Sequence, residues 1–176
     1  MNMTGAVKGF ANSPAFLEIL ASFSNSPVLG IIAGLVLTVI VQSSSATVAM
    51  LQSLSATGAM DFSGVYPIIM GINLGTCVTT AMVCSIGSSK DAKRTGVVHI
   101  VFNTIGTILF MIVMSVLRSA GLFGGLWGSV VDSGGIANFQ TVFNLLAAIV
   151  LIPFTNQLVN IACRVVKDDL EEEDKY

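Results

Sequence analysis

The chain has 176 residues, of which 53% are hydrophobic and only 10% charged; soluble domains usually carry about 25% charged residues. Nine of its 18 charged residues fall between Arg164 and Lys175, leaving nine for the first 163 positions. So few charges could not cover the surface of a soluble domain of this size, and they imply an integral membrane protein.

At the N-terminus, residues 1–27 read as an amphipathic segment lying at the membrane interface. Lys8, Pro14 and Glu18 leave no clean apolar core for a signal peptide. The stretch Asn12-Ser-Pro-Ala-Phe-Leu-Glu18 has the form of a helix start, with Ser13 at the cap and Pro14 at the first position. A second Ser-Pro, Ser26-Pro27, opens a transmembrane region expected over residues 28–163. Its uncharged runs are Val28–Met60, Phe62–Ser89, Thr95–Leu117 and Gly134–Cys163. A crossing needs about 20 mostly apolar residues, so each run can hold a crossing or a re-entrant element.

Val28–Met60 is 33 residues long, with the polar block Gln42-Ser-Ser-Ser-Ala-Thr47 at its midpoint. That length is awkward for one crossing and short for two. Two arms of about 14 residues, each roughly 21 Å long, would form a hairpin that enters the membrane and turns back at the serines. The next run contains Gly71-Ile-Asn-Leu-Gly75-Thr76. Each glycine weakens a helix by roughly 1 kcal/mol, and Asn73 can compete for backbone hydrogen bonds. A local unwinding of that transmembrane helix is expected. Breaks at membrane depth free carbonyls for a hard cation and helix N-termini for an anion. They are tolerated only where protein or a wet cavity surrounds them, and paired interruptions of this kind mark ion-coupled transporters.

Further along, Lys90, Lys93 and Arg94 share one loop, and Arg164 and Lys167 follow the last span. Two crossings separate the groups, so they lie on one side, which the positive-inside rule makes cytoplasmic. The loop Arg118–Ser133 then belongs outside. Residues 164–176 form an acidic cytoplasmic tail or linker, and the chain sits in the cell membrane with its C-terminus in the cytoplasm.

Gln42-Ser43-Ser44-Ser45-Ala46-Thr47, followed by Gly71-Ile-Asn73-Leu-Gly75-Thr76-Cys77-Val-Thr79, resembles the sodium/phosphate cotransporter family, the type II class and its bacterial relatives. The basic loop Ser88–Arg94, His99–Asn103 ("HIVFN") and Thr141–Asn144 ("TVFN") share the resemblance, which covers Leu29 to about Pro153 and is most like the second of the family's two inverted repeats. It implies an all-α membrane fold in which a re-entrant hairpin and a broken transmembrane helix form one half of an inverted-repeat transporter. It also implies sodium-coupled transport of inorganic phosphate, with Na+ the co-transported ion. Carried over position by position, Gln42, Ser43, Ser44 and Ser45 would line the site from the hairpin tip. Asn73, Gly75 and Thr76 would line it from the broken helix, with Thr47 and Thr79 nearby. Cys77 departs from the family, which often has Thr or Ser there, and so removes one oxygen ligand.

The family carries two repeats and 176 residues supply one. A half-length protein that dimerises, a fragment and an engineered half are the alternatives. The ending resembles the charged linker to a cytoplasmic helical domain and favours a fragment. In each case a second repeat or a second copy, as in a homodimer, must complete the site. Membrane lipid is the remaining partner, and no nucleic acid is expected.

Plainer roles compete with these. An isolated membrane serine or threonine usually bonds a carbonyl one turn earlier, but two polar clusters at two expected breaks favour a site. His99 is expected to pack, and Asn103 and Asn144 to make interhelical hydrogen bonds. Gly30 and Gly34 permit close helix approach. Cys77, Cys84 and Cys163 are expected as thiols, without a mutual disulfide. No cluster suits a metal other than Na+. A structural or channel-like helix bundle is the main alternative function. An intramembrane hydrolase using Ser44 with His99 lacks an acidic partner within any span, so no catalytic residue and no enzyme activity are expected.

Overall fold

The computed structural model describes residues 22–23 and 26–167. Among them the chain is helical, apart from turns and one isolated bridge between Asp61 and Val130. The interfacial segment expected over 1–27 and the acidic tail over 164–176 lie almost wholly outside the described residues.

Helix α1, Pro27–Val41, follows Ser26 and starts with proline at its first position, where the missing N–H costs nothing. It ends at Gln42, whose φ of 55° places it in the left-handed region. Helix α2, Ser44–Ser55, begins after Ser43, whose Oγ accepts from Ala46 N at 3.3 Å. With 15 and 12 residues, the two arms are roughly 22 and 18 Å long, each shorter than the ~30 Å hydrocarbon core. They form a helical hairpin that turns at the polar block, as expected.

Helix α3, Phe62–Ser85, is 24 residues long and apolar enough to cross a membrane. Asp61 caps it, accepting from Gly64 N at 2.8 Å and from Ser63 Oγ at 3.0 Å. The expected unwinding at Gly71–Thr76 does not occur, since α3 runs through it unbroken. Packing explains the correction. A Cβ on Gly71 would collide with the Ile31 carbonyl oxygen, and one on Gly34 with that of Ile68. The glycines bring the backbones of α1 and α3 together, and a helix interior is the one state that satisfies every buried peptide group at membrane depth. Successive contacts (Gly30 with Pro67 and Ile68, Gly34 with Ile68 and Ile72, Gly75 with Thr38) advance together along both chains. Helices α1 and α3 are therefore parallel and packed directly on each other, and α2 runs back toward the Phe62 end of α3.

Helix α4, Lys90–Ser119, is capped by Ser89, whose Oγ accepts from Ala92 N at 3.2 Å, and runs back antiparallel to α3. The loop beyond holds a one-turn helix α5, Gly124–Trp127. Helix α6, Ser133–Leu151, starts at Asp132, which accepts from Gly135 N at 2.6 Å. A 3-10 turn at Ile152–Phe154, containing Pro153, joins it to α7, Thr155–Val165. Residues 133–165 together give a third apolar element of spanning length, beside α3 and α4.

The core gathers at one end of α3, where Phe62, Tyr66, Trp127, Phe139, Phe110 and Phe143 stack or meet edge to face with ring centres 5.2–6.1 Å apart. The Arg118 guanidinium lies 5.7 Å from the Trp127 ring centre. At that end the hairpin is tied to the α5–α6 loop. Phe62 N donates to Ser129 O at 3.0 Å and Val131 N to Met60 O at 3.2 Å, while Ser55 Oγ donates to Val131 O. At the opposite end Arg94 Nε donates to Val166 O at 3.2 Å, so the two basic groups share one side of the molecule.

Candidate functional site

The hairpin turn sets two helix ends against each other. Gln42 N donates to Thr38 O at 2.7 Å and closes α1, whose remaining terminal carbonyls have no intrahelical partner. Two residues later the N-terminus of α2 presents its amides. Ser43 Oγ takes Ala46 N, and Thr47 N returns to Ser43 O at 3.0 Å. A carbonyl-rich helix end therefore meets an amide-rich one, and their dipoles favour a cation and an anion respectively. Ser43 Oγ and Ser45 Oγ lie 3.2 Å apart, the two hydroxyls forming a small polar surface at the turn. Gln42 and Ser45 are exposed, Ser43 and Ser44 half-buried.

Thr47 is buried and holds the turn together, its Oγ1 donating to Ser43 O at 2.9 Å. Thr38, which the sequence reading did not single out, does the same on α1 by donating to Gly34 O at 2.9 Å. Gln52 and Ser133 were missed as well. Gln52 Nε2 donates to Ser133 O and Ser133 Oγ to Gln52 O, each at 3.1 Å. Such long-range polar pairs carry no local spacing signal.

The expected ligands on α3 divide between faces. Thr79 lies toward the hairpin tip and lines a cavity of about 260 Å³ with Gln42, Met82, Val83 and Ile86. Its Oγ1 donates to Thr76 O at 2.9 Å. Gly75 lies against Thr38, where a Cβ would come within 2.5 Å of the threonine Cβ. Thr76 Oγ1 donates to Ile72 O at 3.0 Å and Asn73 Nδ2 to Ile69 O at 3.0 Å. Asn73 shares a face with Cys77, Thr80 and Cys84, all toward α4: Cys77 Sγ is 3.9 Å from Ile100 O, Thr80 Oγ1 3.2 Å from His99 Nδ1, and Cys84 Sγ 3.6 Å from Ala92 O. Among the described residues no hydrogen bond joins Gln42–Ser45 to Asn73–Thr76. This one chain brings Gln42 to Thr79 and leaves Asn73 on the far side of α3.

His99 packs between helices through Thr80. Asn103 does not make the expected interhelical bond; its Nδ2 donates within α4 to His99 O at 3.0 Å. Asn144 is exposed on α6.

Residues 1–131 match the family model described as Na+/Pi-cotransporter. The chain is 30% identical over 139 residues to the uncharacterized protein YqeW of Bacillus subtilis (strain 168), covering 79% of this chain and 44% of that protein. It is 30% identical over 147 residues to the sodium-dependent phosphate transport protein 2A of Rattus norvegicus, covering 81% and 22%. With the human sodium-dependent phosphate transport protein 2B it shares 27% over 160 residues, covering 88% and 23%. The chain thus spans less than half the length of these relatives. No solved structure matches it.

Proposed function

The chain belongs to the Na+/Pi-cotransporter family, and from that premise we propose that it takes part in sodium-coupled transport of inorganic phosphate, contributing half of the binding site. The observation that carries this reading is the turn at Gln42–Ser43, where the carbonyl end of α1 and the amide end of α2 meet below membrane-spanning length. Na+ is held by serine oxygens and freed carbonyls, and phosphate by hydroxyls and the first amides of α2. Gln42, Ser43, Ser44 and Ser45 act from the tip with Thr79 beside them. Thr47, Gly75 and Thr76 support the tip, while Asn73, on the far side of α3, stands apart from it. No lysine or arginine lies in either motif, which suits an anion that must be released after each crossing.

The other half comes from a second repeat or a second copy of the chain. Relatives of which the chain covers only 44% and 22% favour the repeat. The common side of Lys90–Arg94 and Arg164–Lys167 is the cytoplasmic one by the positive-inside rule, which puts the C-terminus in the cytoplasm of a cell-membrane protein. Protease accessibility of Lys175 from outside intact cells would reverse this orientation.

The test is Na+-dependent phosphate uptake into proteoliposomes by the complete two-part assembly, with the Ser44→Ala variant beside it. A hydrogen bond to a charged group contributes about 1.5–3 kcal/mol, so the variant should bind its substrates roughly tenfold more weakly while keeping its expression and thermal stability. Normal uptake by Ser44→Ala would make the serines packing residues and leave a structural or channel-like bundle as the better reading.

A further inference from the structure

Three polar side chains are buried between α3 and α4 away from the hairpin: Asn73 at 8% exposure, Asn103 at 9% and Thr107 at 2%. The register of the two antiparallel helices sets Asn73 opposite Thr107, with Asn103 one turn away along α4. Gly96 lies against Cys84, Thr80 meets His99, and Cys77 contacts both Ile100 and the Thr104 side chain. One turn further on α3 is Asn73, and the next inward-facing position of α4 is Thr107, with Asn103 a turn before it.

The hydrogen-bond inventory of this layer is lopsided. Asn73 Nδ2 donates to Ile69 O and Asn103 Nδ2 to His99 O, both at 3.0 Å. One N–H of each amide is bonded to its own helix, and the two Oδ1 atoms are the acceptors of the layer. Thr107 Oγ1 is buried with no hydrogen-bond partner, although a helical threonine can ordinarily donate to the carbonyl four residues back, as Thr38, Thr47, Thr76 and Thr95 do here. An unpaired buried hydroxyl is costly and invites an explanation.

We propose that Asn73, Asn103 and Thr107 form a Na+ site between α3 and α4, behind the hairpin face of α3. The side-chain oxygens of these three residues are neutral, which suits a hard monovalent cation. The absence of a carboxylate from these three positions disfavours Ca2+ and Mg2+, whose sites draw on carboxylates. The choice of Na+ over other monovalent ions rests on the cotransporter reading above. The site couples to that reading through Asn73, six residues and roughly 9 Å along α3 from Thr79.

The experiment is thermal unfolding of the purified chain in detergent, without phosphate. Na+ replaces choline at constant ionic strength, with a parallel K+ series, for the wild type, Thr107→Val, Asn103→Ala and Ser44→Ala. Thr107→Val is nearly isosteric and removes only the hydroxyl. It should raise the Na+ concentration for half-maximal stabilisation at least fivefold and leave the melting temperature in choline unchanged or higher. Asn103→Ala should shift the Na+ response in the same direction; if it does not fold, Thr107→Val decides alone. A higher melting temperature for Thr107→Val in both salts with an unchanged Na+ midpoint would overturn the site, leaving an orphan hydroxyl or a buried water. An equal response to K+ would overturn the Na+ assignment. A Na+ response weakened by Ser44→Ala but untouched by Thr107→Val would also defeat this site while upholding the tip site. The reverse pattern would support the α3–α4 site and count against the tip.

Discussion

Gln42–Thr47 and Gly71–Thr76 are both polar interruptions of an apolar run, yet the first ends one helix and starts another while the second is carried straight through. The difference lies in what each has beside it. Gln42–Ser45 stands at the end of a hairpin with a cavity at its flank, so its backbone groups can leave the helix and still be reached by polar species. Gly71 and Gly75 lie against the α1 backbone and Thr38, where an unwound peptide would be buried without partners. Glycine thus serves α3 through its missing side chain, and flexibility is not what the position uses.

Gly71→Ala tests this contrast most strongly, because the two explanations predict opposite signs. If glycine were there to loosen α3, alanine would stabilise the helix by about 1 kcal/mol. The collision of its Cβ with the Ile31 carbonyl oxygen predicts a loss of about 3 kcal/mol or more, read as lost monodispersity or a large fall in melting temperature in detergent.

Ser55→Ala probes the anchored end of the hairpin. The hydroxyl bonds Val131 O in a buried setting, and its loss leaves that carbonyl short of a partner. A destabilisation of about 2 kcal/mol is expected, measurable by thermal or denaturant unfolding. Ser43→Ala, at the tip, removes the cap of α2 and should cost about 1 kcal/mol in the same assay.

Gln42→Gly sharpens the comparison from the other side. A glutamine at φ 55° is held in a conformation that glycine adopts freely. The substitution should therefore stabilise the protein by up to about 1 kcal/mol while lowering phosphate uptake. A stability gain with unchanged uptake would separate the turn from the binding site.

Much of this architecture is legible in the residues. The scarcity of charge fixes a membrane protein, Ser26-Pro27 fixes the start of α1, and the serine block fixes the turn. The basic residues at either end of the last two spans correctly place both groups on one side, as the bond from Arg94 to Val166 shows. Each is a local or compositional signal, set by propensity, capping and the cost of charge in lipid.

What the tertiary structure alone decides is which neighbour each polar or small residue meets. Gly71 reads as a breaker until α1 is seen against it. Asn73 reads as a partner of the hairpin until helix register places it on the face of α3 that carries Cys77 and Thr80, toward α4. The threonines look alike in sequence, but most bond their own helix and Thr107 does not. The spacing of His99, Asn103 and Thr107 at four-residue intervals shows that they share a face. The opposing helix determines what that face can bind, because burial and pairing depend on distances that close only when α3 and α4 pack.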